Sequence, residues 1–163
     1  MGLSYTILPT TELSLEDKFK RKSFIEHFSA IDSYFFPEDW NIDTNSSYPT
    51  NDELKQAIKN GEMQYVVNSE EEKENGRTQL SFEISHKENK YNSDFTIEHE
   101  NNQIKSMHGI KGDFNILLRL TTQLAKLKGS MIIFSAYDSY YIERGKTYSQ
   151  IWSILKDKLA GEE

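Results

Sequence analysis

Leu80, Phe82 and Ile84 alternate with Ser81, Glu83 and Ser85, and Phe95 and Ile97 alternate with Asp94, Thr96 and Glu98. A period of two sends one set of side chains to each face of a strand, so both segments read as half-buried strands. A turn centred on Glu88–Asn89 pairs Phe82 with Phe95 and Leu80 with Ile97. The same register sets Arg77 opposite Glu100. A second turn near Asn101–Asn102 sets Glu98 opposite Lys105. Apolar pairs on one face and opposite charges across strands support this register independently, and a slip of one residue would turn the apolar set to water. The expected product is an antiparallel meander. Its wet face carries Glu83, Asp94, Glu98 and Glu100.

One apolar sheet face needs a cover, and the last third of the chain reads as one. Asp113 is placed to cap a helix. Phe114, Leu117, Leu120, Leu124 and Leu127 follow at steps of three and four, with Ile116 and Leu118 widening the stripe. Arg119, Thr122, Gln123 and Lys126 fall between them, and Gly129 ends the helix. Met131 to Phe134 is a continuous apolar run, the pattern of a central strand covered on both sides. Asp138–Ser139 reads as a turn and Tyr140 to Glu143 as a returning strand. Thr147 and Gln150 have capping-box spacing ahead of a closing helix with Tyr148, Ile151, Leu155 and Leu159 on one face.

Earlier in the chain, Leu3, Tyr5 and Ile7 alternate before Pro9, as in a short strand. Phe24, Phe28, Ile31 and Phe35 recur at helical spacing. Thr50 and Glu53 form a second capping box ahead of Leu54, Ala57 and Ile58, and Gly61 closes that helix. Ser69 to Gly76, with Glu70, Glu71, Glu72 and Glu74, reads as an exposed loop between strands. The expectation is therefore a single α+β domain over residues 1–163. Its antiparallel β-sheet is assigned to 62–69, 77–86, 91–99, 103–108 and 131–143. Helices near 14–35, 51–60, 113–128 and 147–160 pack on one face.

The chain has 163 residues, enough to bury a core without staples. It contains no cysteine, so disulfides and thiolate chemistry are excluded. The N-terminus has no basic stretch leading into an apolar core, and no apolar run approaches the roughly 20 residues that span a bilayer. A cytoplasmic protein is expected. The net charge is −7 and unevenly spread: residues 52–100 hold 12 acidic and 6 basic side chains, residues 113–163 hold 6 and 7. Direct binding to nucleic acid or an anionic membrane is disfavoured, because phosphate recognition needs a basic footprint. A basic protein partner is compatible with this charge, as is plain solubility.

Catalytic motifs are sparse. His27, His86, His99 and His108 lack the close spacing of a zinc pair. No Gly-x-Ser-x-Gly elbow surrounds Ser130, Ser135 or Ser139, and no phosphate loop is present. Gly109 to Gly112 precedes a helix, but Asp113 at the cap would repel an anion. No cofactor or metal is expected. Carboxylates are abundant, so a hydrolase using two of them stands as the enzymatic alternative. A scaffold or adaptor module is a further one. Two aromatic clusters have two readings each. Phe35, Phe36 and Trp40 around Pro37, and Tyr137, Tyr140, Tyr141, Tyr148 and Trp152, read first as core and second as anchors at a protein interface.

The segment Leu117-Leu118-Arg119-Leu120, Leu124-Ala125 and Lys128-Gly129, then the apolar strand, the aspartate turn, Ile142-Glu143-Arg144-Gly145 and a closing helix, resembles small acidic α+β immunity proteins encoded beside bacterial toxins. The resemblance covers about residues 113–159, and its motifs are structural. It implies a protein that binds one cognate toxin and blocks it without catalysis. The binding residues expected on that reading are Glu83, Asp94, Glu98 and Glu100, with the Glu70–Glu74 loop, and Trp40, Tyr137, Tyr140 and Tyr141 as anchors.

Overall fold

The computed structural model describes residues 4–9, 48–135 and 139–153. The elements run β1 (Tyr5–Pro9), α1 (Asn51–Asn60), β2 (Met63–Glu72), β3 (Thr78–His86), β4 (Ser93–Glu100), β5 (Gln103–Gly112), α2 (Phe114–Lys128), β6 (Met131–Phe134) and β7 (Ser139–Ile142). Residues 148–153 are helical. All seven strands join one antiparallel sheet in the order β2-β3-β4-β5-β1-β6-β7. The fold class is α+β, mostly sheet. The helix expected over 14–35 and the aromatic run 35–40 lie outside the described residues.

The β3–β4 register is the expected one, with Phe82 opposite Phe95 and Leu80 opposite Ile97. The two phenyl rings stack with centroids 5.5 Å apart and planes 10° from parallel. Asn101 and Asn102 both adopt positive φ, 52° and 65°. That is the twist a two-residue hairpin turn needs, and asparagine tolerates it well. The turn pairs Glu100 with Gln103 and His99 with Ile104, but the register then shifts by one, so Glu98 faces Ser106 and not Lys105. Lys105 is the extra residue of a bulge, and extra residues of this kind accumulate where a sheet must twist. A further shift lies between Asp94 and Thr96. There Gly109, at φ 60°, supplies the left-handed residue such a bulge favours.

Two strands run longer than expected, and the short N-terminal strand takes a place in the sheet that no expectation assigned. β2 runs on to Glu72, so Glu70, Glu71 and Glu72 are strand and the turn is confined to residues 73–77. An edge strand can hold glutamates in its ladder because their side chains stay in water. β5 extends to Gly112. β1 occupies the middle of the sheet, between β5 and β6. Its Ile7 faces Met107 on one side and Ile133 on the other.

α1 and α2 pack side by side over one face. Thr50 and Glu53 close their reciprocal capping box (3.1 and 3.0 Å). Asp113 caps α2 by accepting from the Asn115 N–H at 2.7 Å. Leu54, Ala57 and Ile58 from α1 and Ile116, Leu117, Leu120 and Leu124 from α2 meet Phe82, Phe95, Ile97 and Met107 of the sheet in one core. α2 is buried more widely than its stripe implies. Thr121 and Thr122 are both buried, against the expectation of a polar side at Thr122. Their hydroxyls donate to the carbonyls of Leu117 and Leu118, each at 2.7 Å, which satisfies them without water.

Candidate interaction surface

The face of β2–β5 away from the helices is open. Every residue it presents is exposed or half-buried. Register places Val66, Glu83, Asp94 and Lys111 in one cross-strand row, and Glu71, Gln79, Glu98 and Ser106 in another. Glu100 continues the same face of β4. Glu83 and Asp94 stand directly opposite, a like-charge juxtaposition that is unfavourable in a sheet. Lys111 relieves Asp94 from the other side. The Ser106 hydroxyl donates to the Glu98 carboxylate at 3.2 Å.

The structure thus gathers Glu83, Asp94, Glu98 and Glu100 on one surface. It divides the glutamate run: Glu71 joins that surface, whereas Glu70 and Glu72 pair with Leu80 and Thr78 on the helix side of the sheet. The tyrosine anchors are not brought to it. Tyr140 is 1% exposed and belongs to the core, its ring 5.3 Å from that of Phe114, so it is no surface anchor. Successive strand residues point to opposite faces, and Tyr140 drew the inward one. Tyr141 is half-buried at the far end of the sheet, its hydroxyl donating to Ser130 Oγ at 3.0 Å. Trp40 and Tyr137 lie outside the described residues. Apolar residues that sequence reasoning passed over are exposed on β2: Val66, 64% exposed, stands beside Glu83 on the acidic surface, whereas Tyr65 and Val67, 40 and 47% exposed, pair with Ile84 and Phe82 on the helix side. Their β-prone character was legible; their exposure was not, because it depends on β2 being last in the sheet.

On the helix side, α1 and β2 flank a groove of about 260 Å³ lined by Leu54, Ile58, Tyr65, Val67, Leu80 and Phe82, with Glu70 and His99 among its polar residues. A second, polar depression of about 170 Å³ lies where the end of β3 meets α2 and the last helical turn. Arg119 there donates to Glu88 (3.1 Å), and its guanidinium stacks over the Tyr148 ring at 4.1 Å. Burial is the main cause that lowers the His86 pKa, followed by the nearby Arg119. The Glu88 N–H donates to His86 Nδ1 at 3.1 Å, which places the ring proton of the neutral imidazole on Nε2. The two carboxylates lining this depression are both engaged by cations, Glu62 with Lys87 (3.8 Å) and Glu88 with Arg119. Histidines 86 and 99 stand at opposite ends of the β3–β4 hairpin, as the register required. Among the described residues, no group of three or more metal-ligating side chains converges, and no helix is long and apolar enough to cross a membrane.

No family model, curated protein or solved structure matches this chain.

Proposed function

We propose that this is a non-catalytic binding protein, an immunity-type inhibitor that neutralises a basic toxin or effector in the cytoplasm. The observation that carries the reading is the open sheet face, where Glu71, Glu83, Asp94, Glu98 and Glu100 lie together with Lys111 as a counter-charge. An effector that handles phosphate needs a basic site. A concentrated acidic face steers such a partner and speeds encounter by about 10-fold or more at low salt. The Glu83–Asp94 juxtaposition fits this reading, because a cation docking across two facing carboxylates relieves their repulsion. A hydrolase built on paired carboxylates finds less support. Glu83 and Asp94 face each other on an open surface, and the carboxylates in the polar depression are held by Lys87 and Arg119.

The test is affinity capture of the full chain from its native host, followed by association rates over a salt series. A basic partner whose on-rate falls with salt is expected, and reversing Glu83, Asp94, Glu98 and Glu100 to lysine should slow association by about tenfold or more. An on-rate indifferent to those reversals would remove this face from the function. Turnover of a small molecule by a chain that captures no protein would replace the inhibitor with the hydrolase.

A further inference from the structure

Among the described residues β2 pairs with β3 alone, so its outer edge presents a row of backbone N–H and C=O groups. Proteins usually blunt such an edge with charge, proline, a bulge or short length, because it templates the addition of another strand. β2 is 10 residues long and its protection is one-sided. The register shift between Val67 and Ser69 and the three glutamates lie in or beyond its middle. The first half, Met63–Val67, has none of these devices and exposes Tyr65, Val66 and Val67. Tyr65 and Val67 also wall the apolar groove against Leu54 and Ile58 of α1.

We infer that the β2 edge accepts an added strand from a partner protein. The segment is extended, with apolar side chains at alternate positions entering the groove, and lysine or arginine where it passes Glu70, Glu71 and Glu72. Strand addition draws affinity from the main chain and specificity from pockets for alternate side chains, and the groove supplies the pockets. The glutamates select the charge. A second copy of this chain fits poorly, because β2 contains no lysine or arginine. Aligned parallel, it would lay glutamate on glutamate. Aligned antiparallel, it would lay them on an apolar half, with a net charge of −7 on each chain. The inference is separable from the inhibitor reading: of the residues it invokes only Glu71 lies on the acidic open face, and the groove lies on the other side of the sheet.

The probe is a capped ten-residue peptide of alternating isoleucine and threonine, made with two lysines at its N-terminal or its C-terminal end. Controls carry glutamates in place of the lysines, or the same residues in scrambled order. Each is titrated into the full chain, with amide shifts and hydrogen exchange as readouts. One lysine peptide should bind and protect amides of Met63–Val67, and the controls should not. Val67→Lys, at a site 47% exposed, should weaken that binding about tenfold, the loss typical of removing one anchor residue, with an unchanged urea midpoint as the check that the fold is kept. Glu70→Gln with Glu72→Gln should weaken it in the same direction. Reversal of Glu83, Asp94, Glu98 and Glu100 should matter less than Val67→Lys, which separates this edge from the acidic face. Failure of both lysine peptides at about 1 mM, protection mapped to another surface, or affinity unchanged by Val67→Lys would overturn the inference. So would a concentration-dependent dimer that Val67→Lys abolishes, since a second copy would then be the occupant.

Discussion

β2 and β6 are both paired strands of one sheet, and they live in opposite surroundings. β2 has 10 residues, of which Met63 alone is buried. β6 has four, and Met131, Ile132 and Ile133 are all buried. Ile132 and Ile133 point to opposite faces, so the sheet is covered on both sides there. At β2–β5 one face is open and the last edge is unpaired among the described residues. Hydrogen-bond pairing is common to both ends, and a net backbone bond contributes only about 0.5–1.5 kcal/mol. Full burial of each isoleucine adds about 1.5–3 kcal/mol. The β1–β6 region therefore contributes most to holding the fold together, while the β2 end leaves most of its surface in water.

The largest expected effect is Ile133→Ala, which should destabilise the protein by about 2–5 kcal/mol in urea unfolding. A loss below about 1 kcal/mol would mean the site collapses around the gap, and β6 would not be the keystone. Next comes Gly112→Ala, where β5 hands the chain to α2. Gly112 has φ 107°, and a Cβ there would collide with the Asn92 carbonyl oxygen. A cost of about 1–3 kcal/mol is expected, because both the backbone conformation and the approach of Asn92 must change.

A third, smaller effect concerns His86, the cross-strand partner of Met63 where β2 is anchored. Burial first, then Arg119, lowers the folded-state pKa below the ordinary 6.5, against partial opposition from Glu88 and Glu62. The folded and unfolded states are both neutral above 6.5, so stability is complete there. As pH falls from 6.5 through the lower folded value, the unfolded state takes up the proton first and stability is lost. The wild-type urea midpoint should therefore drop more between pH 7.5 and pH 5 than that of His86→Gln. Parallel curves would release His86 from any role in anchoring β2. Val66→Ala should cost least, within about 0.5 kcal/mol, as befits an exposed strand position. A cost equal to that of Ile133→Ala would erase the distinction between the two regions.

Much of the architecture was legible because it is governed by short-range chemistry. The alternation at 80–84 and 95–97 fixed which faces meet, and Asn101–Asn102 tolerates the positive φ that the β4–β5 turn demands. Thr50–Glu53, Asp113 and Thr147–Gln150 announced their helix starts, and the last pair forms its reciprocal bonds at 2.9 and 3.2 Å. The four carboxylates of the candidate surface followed from the same alternation. The anchors did not follow. Tyr140 and Tyr141 are adjacent aromatics with equal claims to the surface, and only the packing of Phe114 against Tyr140 decided which turned inward. Likewise Thr122 looked polar until its own helix carbonyl took up its hydroxyl.

What the sequence by itself determined is local: strand periodicity, caps, turns, and the concentration of negative charge in residues 52–100. These depend on neighbours within a few positions, or on a hairpin whose partner is close along the chain. What only the tertiary structure decided is placement. β1 enters the centre of the sheet from the far end of the chain, β2 is left at an edge with Tyr65, Val66 and Val67 uncovered, and one residue at Lys105 is taken up in a bulge. Strand order and bulges answer to the twist and closure of the whole sheet. Many orders bury a similar apolar set, so no pattern along the chain specifies which strand is left with an open edge.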